Sequence, residues 1–504
     1  MTEAEADTRK SPAGTSAGGQ VLGTPGAEPV NRKETRLYAG RKKVYPRRVY
    51  GRFRLIKWVV MAVSLGIYYV TPWLRWERPG SAPDQAVLID FPTRKAYVFG
   101  LEIWAQEVYL ATGLLIMAAF ALFLITALAG RVWCGYMCPQ TVWTDLFVHI
   151  ERWIQGDRNK RIKLDKAPWG PEKVIKKAVT HLAFLLVAMG TGGAFVFYFG
   201  NAPDLAVQLV SGTAPLTSYF FVGLLTFTTY LLGGIAREQV CIYMCPWPRI
   251  QGALVDEHSF LVSYDRQRGE PRGKHKKGES WEGRGDCIDC QQCVAVCPTG
   301  IDIRDGFQLE CIQCALCVDA CNSIMDKVGR PPNLIQYAAT HVDQAGGKKL
   351  QETKVIRPRV VLYAAMLALV AGLMLASVVT RSDISMNIMK DRNPLFVTLS
   401  NGEIRNDYTV NIMNRLHDSR PVTVTVDGLP DLAVKTAFGA PGEAVRTTVP
   451  PDDMRALSLF VIMPGEHVRA GVLDAGKGRV TIRVKDDAGT VLLSESVAFH
   501  GPER

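Results

Sequence analysis

Long apolar runs alternate with strongly charged stretches along the chain. Five runs approach the roughly 20 apolar residues that span a bilayer. They are Leu55–Leu74, Leu101–Leu128, Val179–Phe199, Leu216–Ile235 and Val360–Val379. Together they predict a five-helix transmembrane bundle. Leu101–Leu128 is the longest and is expected to tilt or project beyond the hydrocarbon. Leu55–Leu74 lies too deep in the chain for a secretory signal, and no small-residue cleavage site follows it. From about Asn393 the period changes to two. Leu395–Ser400, Tyr408–Met413, Val422–Val426, Val445–Val449, Leu457–Met463, Val480–Val484 and Val491–Phe499 read as short strands. Turns such as Asn401-Gly402 and Asp427-Gly428 separate some of them, which predicts an immunoglobulin-like β-sandwich. Residues 1–35 are mostly small or polar and predict a disordered tail.

Charge orients the bundle. The formal net charge is +11 over 504 residues, but its position matters more than its total. Residues 31–57 hold eleven Lys/Arg, 75–100 four, 129–177 ten, 200–215 none and 236–358 sixteen. By the positive-inside rule the N-terminus, loop 129–177 and segment 236–358 are cytoplasmic. An odd number of spans then puts the sandwich on the other side. Topology accounts for the basic patches, and no nucleic-acid partner is indicated. The basic stretch 265–277 reads as a solvated linker beside anionic lipid, with docking of an acidic electron donor as the sharper alternative.

All twelve cysteines sit in short-spaced motifs, and the segment beyond residue 380 has none. They fall on the predicted reducing side, which argues against a disulfide framework. Cys287, Cys290, Cys293 and Cys297 are spaced C-x2-C-x2-C-x3-C and followed by Pro298. Cys311, Cys314, Cys317 and Cys321 repeat the spacing, with Asn322 in place of the proline. Structural zinc sites have a longer gap between two C-x2-C pairs and fit this poorly. The runs resemble the bacterial two-cluster ferredoxin module, in which the fourth cysteine of each run ligates the other cluster. That resemblance implies one [4Fe–4S] cluster on Cys287, Cys290, Cys293 and Cys321. It implies a second on Cys311, Cys314, Cys317 and Cys297.

A second repeat stands at the membrane edge. Cys134-Gly135-Tyr136-Met137-Cys138-Pro139 follows the second apolar run, and Cys241-Ile242-Tyr243-Met244-Cys245-Pro246 follows the fourth. In a continuing helix each cysteine pair would share one face, and the prolines mark breaks. Four thiolates, with Met137 and Met244 nearby, form a soft ligand set suited to Cu(I), zinc or iron–sulfur. A copper site, a third cluster and dithiol chemistry all remain open on spacing alone. Haem is not indicated. His181 alone among eight histidines lies within a predicted span, and no C-x-x-C-H occurs. No strand-borne G-x-G-x-x-G suggests a nicotinamide domain, so electrons must come from another protein or a diffusible donor.

The five spans, the two C-x-Y-M-C-P helix ends, the two-cluster insert and the terminal sandwich together resemble the CcoG/RdxA/FixG family. These are accessory proteins of cbb3-type cytochrome c oxidase in bacterial inner membranes. The resemblance covers residues 35–504. It implies a domain order of 1–35 tail, 36–265 first four spans, 266–357 cytoplasmic ferredoxin domain with linkers, 358–380 fifth span and 381–504 periplasmic sandwich. It also implies a metal-ion oxidoreductase, a cupric reductase acting through Cys134, Cys138, Cys241 and Cys245. The implied partners are a cytoplasmic electron donor and a copper transporter, chaperone or oxidase assembly factor, and a homodimer would fit the family. Two other classes compete: a general electron conduit to a quinone or protein acceptor, and a non-enzymatic redox-sensing assembly scaffold.

Overall fold

The computed structural model describes residues 43–502 apart from 79–81, 277, 343–347, 352–353, 417, 438, 471 and 474–475. The tail expected over 1–35 lies outside the described residues. Two compact units divide the chain, one containing the first four spans and the ferredoxin module, the other the terminal sandwich.

In the first unit, five helices are long and apolar enough to cross a membrane: Arg52–Trp73, Ala105–Ala129, Pro171–Phe199, Leu216–Ala236 and Pro358–Val379, the last running into the second unit. The second span is shorter than the apolar pattern suggests. Leu101–Trp104 is instead a strand, paired in a three-stranded antiparallel sheet with Lys95–Val98, which pairs Val87–Asp90. A continuous apolar run cannot by itself distinguish a strand from the start of a helix.

Asp319, on the helix Leu316–Lys327 of the ferredoxin module, caps the first span from outside. Its carboxylate accepts from the Phe53 N–H at 3.2 Å and the Arg54 N–H at 2.8 Å. Those are donors a helix start leaves unpaired, and Gly51 at the cap position has no side chain to take them. A Cβ at Gly51 would lie 2.3 Å from the Asp319 Cγ. The module and the span are therefore joined at a residue between Cys317 and Cys321. The basic stretch is solvated over Arg266, Arg272, Lys274 and Lys276, which are exposed, and Arg268 and His275 are tied to neighbours. Arg268 donates to Asp286 at 2.5 Å, and His275 stacks on Trp281 with centroids 4.0 Å apart.

The second unit is a sandwich. One sheet runs Ala444–Val449, Arg420–Asp427, Lys477–Lys485, Val491–His500. The other runs Ala433–Thr436, Asp453–Met463, Ile404–Asn414, Ile384–Lys390, with Val397–Thr398 also on Ile404–Asn414. Ile384–Lys390 and Ala433–Thr436 are strands that the apolar periodicity did not mark. Ile384–Lys390 shows the reason, since it borders the last span and its alternation runs Ile, Met, Ile, with Met389 exposed on the other side. Val410, Ile412, Leu459, Val461, Val480, Ile482 and Phe499 fill the core. Buried Tyr408 joins the sheets by donating to the Ala498 carbonyl at 2.8 Å. Tyr408→Phe is expected to cost about 1 kcal/mol, read from the denaturant midpoint of the sandwich transition. An unchanged midpoint would show that the bond contributes nothing.

Candidate redox site

The two ferredoxin runs adopt the same local path. Asp289 and Gln291 follow Cys287 with φ of 49° and 56°, and Gln313 and Ala315 follow Cys311 with φ of 55° and 56°. Left-handed backbone at four non-glycine residues costs on the order of 1 kcal/mol each and persists where the surroundings demand it. Here it wraps each loop around its thiols. The Gln292 N–H bonds the Cys290 sulfur, the Gln313 N–H that of Cys311 and the Leu316 N–H that of Cys314. Such donors favour the thiolate form.

The structure gathers the eight thiols into two groups. Cys287, Cys290, Cys293 and Cys321 line one cavity with Ile288, Ile324 and Leu334. Cys297, Cys311, Cys314 and Cys317 line another with Val262, Ile301 and Ile312, and Cys293 borders it. Burial pushes the Cys321 thiol up to about 12, reinforced by Cys290 and Cys287. Burial and then Cys297 push Cys311 up to about 12. Thiols this costly to ionise in a bare apolar pocket fit a site completed by a cation-bearing cluster. Buried Arg304 supplies fixed positive charge beside the first group. It pairs with Asp302 at 2.7 Å and Asp289 at 2.6 Å, and its Nη1 lies 3.9 Å from the Cys287 sulfur.

The helix-end motifs form a structural repeat deeper than their sequence identity. The second span ends at Gly130 (φ 58°, ψ −126°) and the fourth at Arg237 (φ 48°, ψ −114°), each four residues before the first cysteine of its motif. A short turn carries that cysteine, Val132–Tyr136 in one motif and the π-helical Val240–Met244 in the other. The second cysteine is extended in both, with φ −59°, ψ 127° at Cys138 and φ −80°, ψ 125° at Cys245. Proline then opens the helices Pro139–Gln155 and Trp247–Leu254. The helix does not continue through each pair, so the shared-face expectation is replaced by a turn and a bend, and the prolines sit at the breaks as expected.

Two glutamines, which the motif reading passed over, tie one repeat to the other. The Cys134 sulfur donates to Gln251 Oε1 at 3.1 Å. Gln140 Nε2 donates to the carbonyls of Leu232 at 2.8 Å and Arg237 at 3.1 Å. The four half-buried thiols converge closely enough to act on one another. Burial first, then Cys138, Cys134 and Cys245, push Cys241 up to about 12. Burial also raises Cys134, against the pull of Arg131. Met137 and Met244 are 49% and 64% exposed, unlike the thiols between which they stand in sequence.

This group abuts the second ferredoxin run. A Cβ on Gly135 would lie 2.7 Å from the Ile312 carbonyl oxygen and 3.1 Å from the Cys314 nitrogen. Tyr136 donates to the Cys314 carbonyl at 3.0 Å. Cys134 packs on the apolar cluster of Val296, Ile312, Cys314 and Leu316. Buried Arg131 donates to the Leu309 carbonyl, and its backbone N–H to Gln313 at 3.3 Å. Its charge favours the thiolates of both Cys134 and Cys311.

Family comparison agrees with these parts. Residues 236–340 match a 4Fe-4S dicluster domain, 110–161 a 4Fe-4S binding domain, and 374–502 the IG-like fold at the C-terminal of FixG. Nitrogen fixation protein FixG of Rhizobium meliloti is 47% identical over 88% of this chain and 91% of its own length. The chain belongs to the CcoG/RdxA/FixG family. Other FixG-family relatives are protein RdxB of Cereibacter sphaeroides, 49% identical over 92% of this chain and 97% of its own, and RdxA of the same organism, 50% identical over 78% and 84%. Family and domain content make this FixG-family chain a multi-pass membrane protein with iron–sulfur cofactors and a redox, electron-transfer role. Among the described residues, no group of three or more His, Cys, Asp or Glu is set to hold a single metal ion.

Proposed function

We propose that this chain is a membrane electron conduit. It takes single electrons from a cytoplasmic donor at the ferredoxin module and delivers them at Cys134, Cys138, Cys241 and Cys245 to an acceptor in or beyond the inner membrane. Cys287, Cys290, Cys293 and Cys321 would hold one [4Fe–4S] cluster, and Cys311, Cys314, Cys317 and Cys297 the other. Bound clusters supply reversible one-electron chemistry. The protein's own contribution is placement. Ile288, Ile301 and Ile312 keep water from the thiols, Arg304 and the loop N–H groups favour added negative charge, and Gly135 lets the membrane motif touch the Cys314 backbone. That contact is the observation that carries the reading.

The acceptor at the four helix-end thiols has two candidates. A third cluster is favoured by the 4Fe-4S domain match over Cys134 and Cys138. It also suits thiols that are not gathered around one ion, a property the eight ferredoxin cysteines share, since a cubane holds its ligands further apart than a single ion does. Cu(II) as substrate is the narrower reading. Thiolates stabilise Cu(I), and the protein would then be a cupric reductase serving copper-centre assembly of cbb3-type oxidase. Met137 and Met244 would be at most outlying ligands.

Anaerobically purified protein is expected to carry about twelve irons per chain if three four-iron clusters are present. Cys134→Ser/Cys241→Ser would then lower that to about eight and stop electron delivery to the membrane. About eight irons in the parent, with stoichiometric Cu(I) formed on adding Cu(II) and lost in the double variant, would select the cupric reductase. Undiminished electron delivery in the double variant, to quinone or to Cu(II), would overturn the conduit itself.

A further inference from the structure

We propose that the cytoplasmic edge of the first span carries a binding site for the headgroup of an anionic phospholipid, built on Arg48, Arg54 and Arg152. The three guanidiniums line a cavity of about 420 Å³ together with Tyr50, Trp58 and Trp153. They come from three places: the segment before the span, its first turn, and the amphipathic helix Pro139–Gln155.

The site is short of negative charge. Asp145 pairs with Arg54 at 2.9 Å and with Lys57 at 3.8 Å, so one carboxylate serves two cations. Asp157 stands 4.0 Å from Arg152 and accepts the Arg48 backbone N–H at 3.0 Å. Asp319 is the third carboxylate nearby, spent on the Phe53 and Arg54 backbone N–H groups, so four cations and three carboxylates leave the neighbourhood one charge positive. His149, edge-on to Trp58 at 4.5 Å, adds no anion. Burial first, and then the neighbouring guanidiniums of Arg161 and Arg54, lower Arg152 to about 10. The deficit is also one of hydrogen bonds. Arg54 is 6% exposed, with its guanidinium 4.7 Å over the Trp58 ring, yet its Nη2 makes no hydrogen bond, and neither does the Arg152 Nε, which faces Asp157 at 4.0 Å. Buried donors are costly to leave unpaired. A phosphodiester supplies a charge and acceptor oxygens in the geometry guanidinium prefers.

The surroundings select a lipid over a soluble phosphate. Leu55 on the cavity wall is 64% exposed, and Trp153 on its rim is 86% exposed. Tyr50 is exposed as well, and the Arg48 guanidinium lies 4.6 Å over its ring. Aromatic side chains beside a basic pocket, at the point where a span leaves the bilayer, are what a headgroup with attached acyl chains would cover. A free phosphate would neutralise the arginines and leave that apolar rim in place. Occupancy has a structural consequence. Arg54 gives its backbone N–H to Asp319 of the ferredoxin module, so a ligand on its side chain braces the joint between module and membrane.

The test uses the full-length protein in nanodiscs of phosphatidylcholine, with or without phosphatidylglycerol, and native mass spectrometry of the lipids it retains. Phosphatidylglycerol is expected to be retained in preference, and the preference to fall about fivefold for each arginine removed. Arg48→Gln/Trp153→Ala changes two exposed side chains, so its unfolding temperature in phosphatidylcholine should equal the parent's. In the parent, retention should weaken as salt rises. Equal retention of both lipids by the parent overturns the proposal. Retention that ignores salt, or an undiminished preference in the variant, does the same. Thermal protection by inorganic phosphate equal to that by phosphatidylglycerol would overturn the assignment to lipid.

Discussion

Gly135→Val should leave the ferredoxin module loaded and slow electron delivery to the membrane site severalfold, since electron transfer weakens with each ångström of added separation. Gly135 is helical, so the change asks nothing unusual of the backbone. The effect is steric. The first added carbon meets the Ile312 carbonyl at 2.7 Å and the Cys314 backbone at 3.1 Å, and neither is the end of a flexible side chain. Relief requires the motif and the cysteine run to part, taking the Tyr136 bond to the Cys314 carbonyl with them. Overpacking of this kind costs about 1–3 kcal/mol, too little to unfold the unit. The measurement is the reoxidation rate of the reduced protein by its acceptor, beside its iron content. Full iron with an unchanged rate would sink the idea that this contact carries the current. Gly135→Ala should fall between parent and valine variant.

Glu151→Ala should destabilise the membrane unit by about 3–5 kcal/mol, because it strands two buried guanidiniums. Glu151 accepts from Arg161 at 2.9 Å and from Arg237 at 2.8 Å, and all three residues are buried. Arg237 has a second stake. It holds φ 48°, a left-handed backbone where its counterpart in the other repeat is a glycine. The Glu151 bond, with the Arg237 Nε bond to the Gly234 carbonyl at 2.7 Å, keeps it there. Releasing that turn would move Cys241 four residues on, so a loss of electron delivery should accompany the loss of stability. Thermal unfolding in detergent reads the first effect and the reoxidation rate the second. Burial alone would raise the Glu151 pKa, but Arg237 and Arg161 hold it below the ordinary carboxylate range. A lowered folded-state pKa gives stability that is present above the unfolded carboxylate value and is lost as pH falls through the folded one. This contribution should therefore be flat from neutral pH down to the ordinary carboxylate range and vanish only in stronger acid. The Glu151→Ala protein should lack that acid-side slope. A slope near neutrality abolished by the substitution would contradict the assignment.

Cysteine spacing and apolar run length made much of this chain legible. Four thiols close in sequence can be gathered by one loop, so the two runs announced their chemistry without long-range information. A span needs only length and apolarity, and five were read, with one boundary displaced by the strand Leu101–Trp104. The strand Ala433–Thr436 escaped because four residues carry too little alternation. The shared backbone break escaped because Gly130 and Arg237 have nothing in common as letters. Gln140, Gln251, Arg131 and Glu151 escaped because polar residues near a membrane edge look like solvated surface until a partner is found for each.

The sequence by itself determined the number of spans, the sandwich class, the two cysteine runs and the helix-end repeat, since all of these are local patterns set by spacing and hydropathy. Tertiary structure decided that the two helix ends meet through Gln140 and Gln251, and that their meeting point rests on the Cys314 backbone at Gly135. Those are contacts between residues more than ninety positions apart. They arise when buried donors and acceptors must find partners and a missing side chain leaves room for another backbone, and no local pattern encodes them.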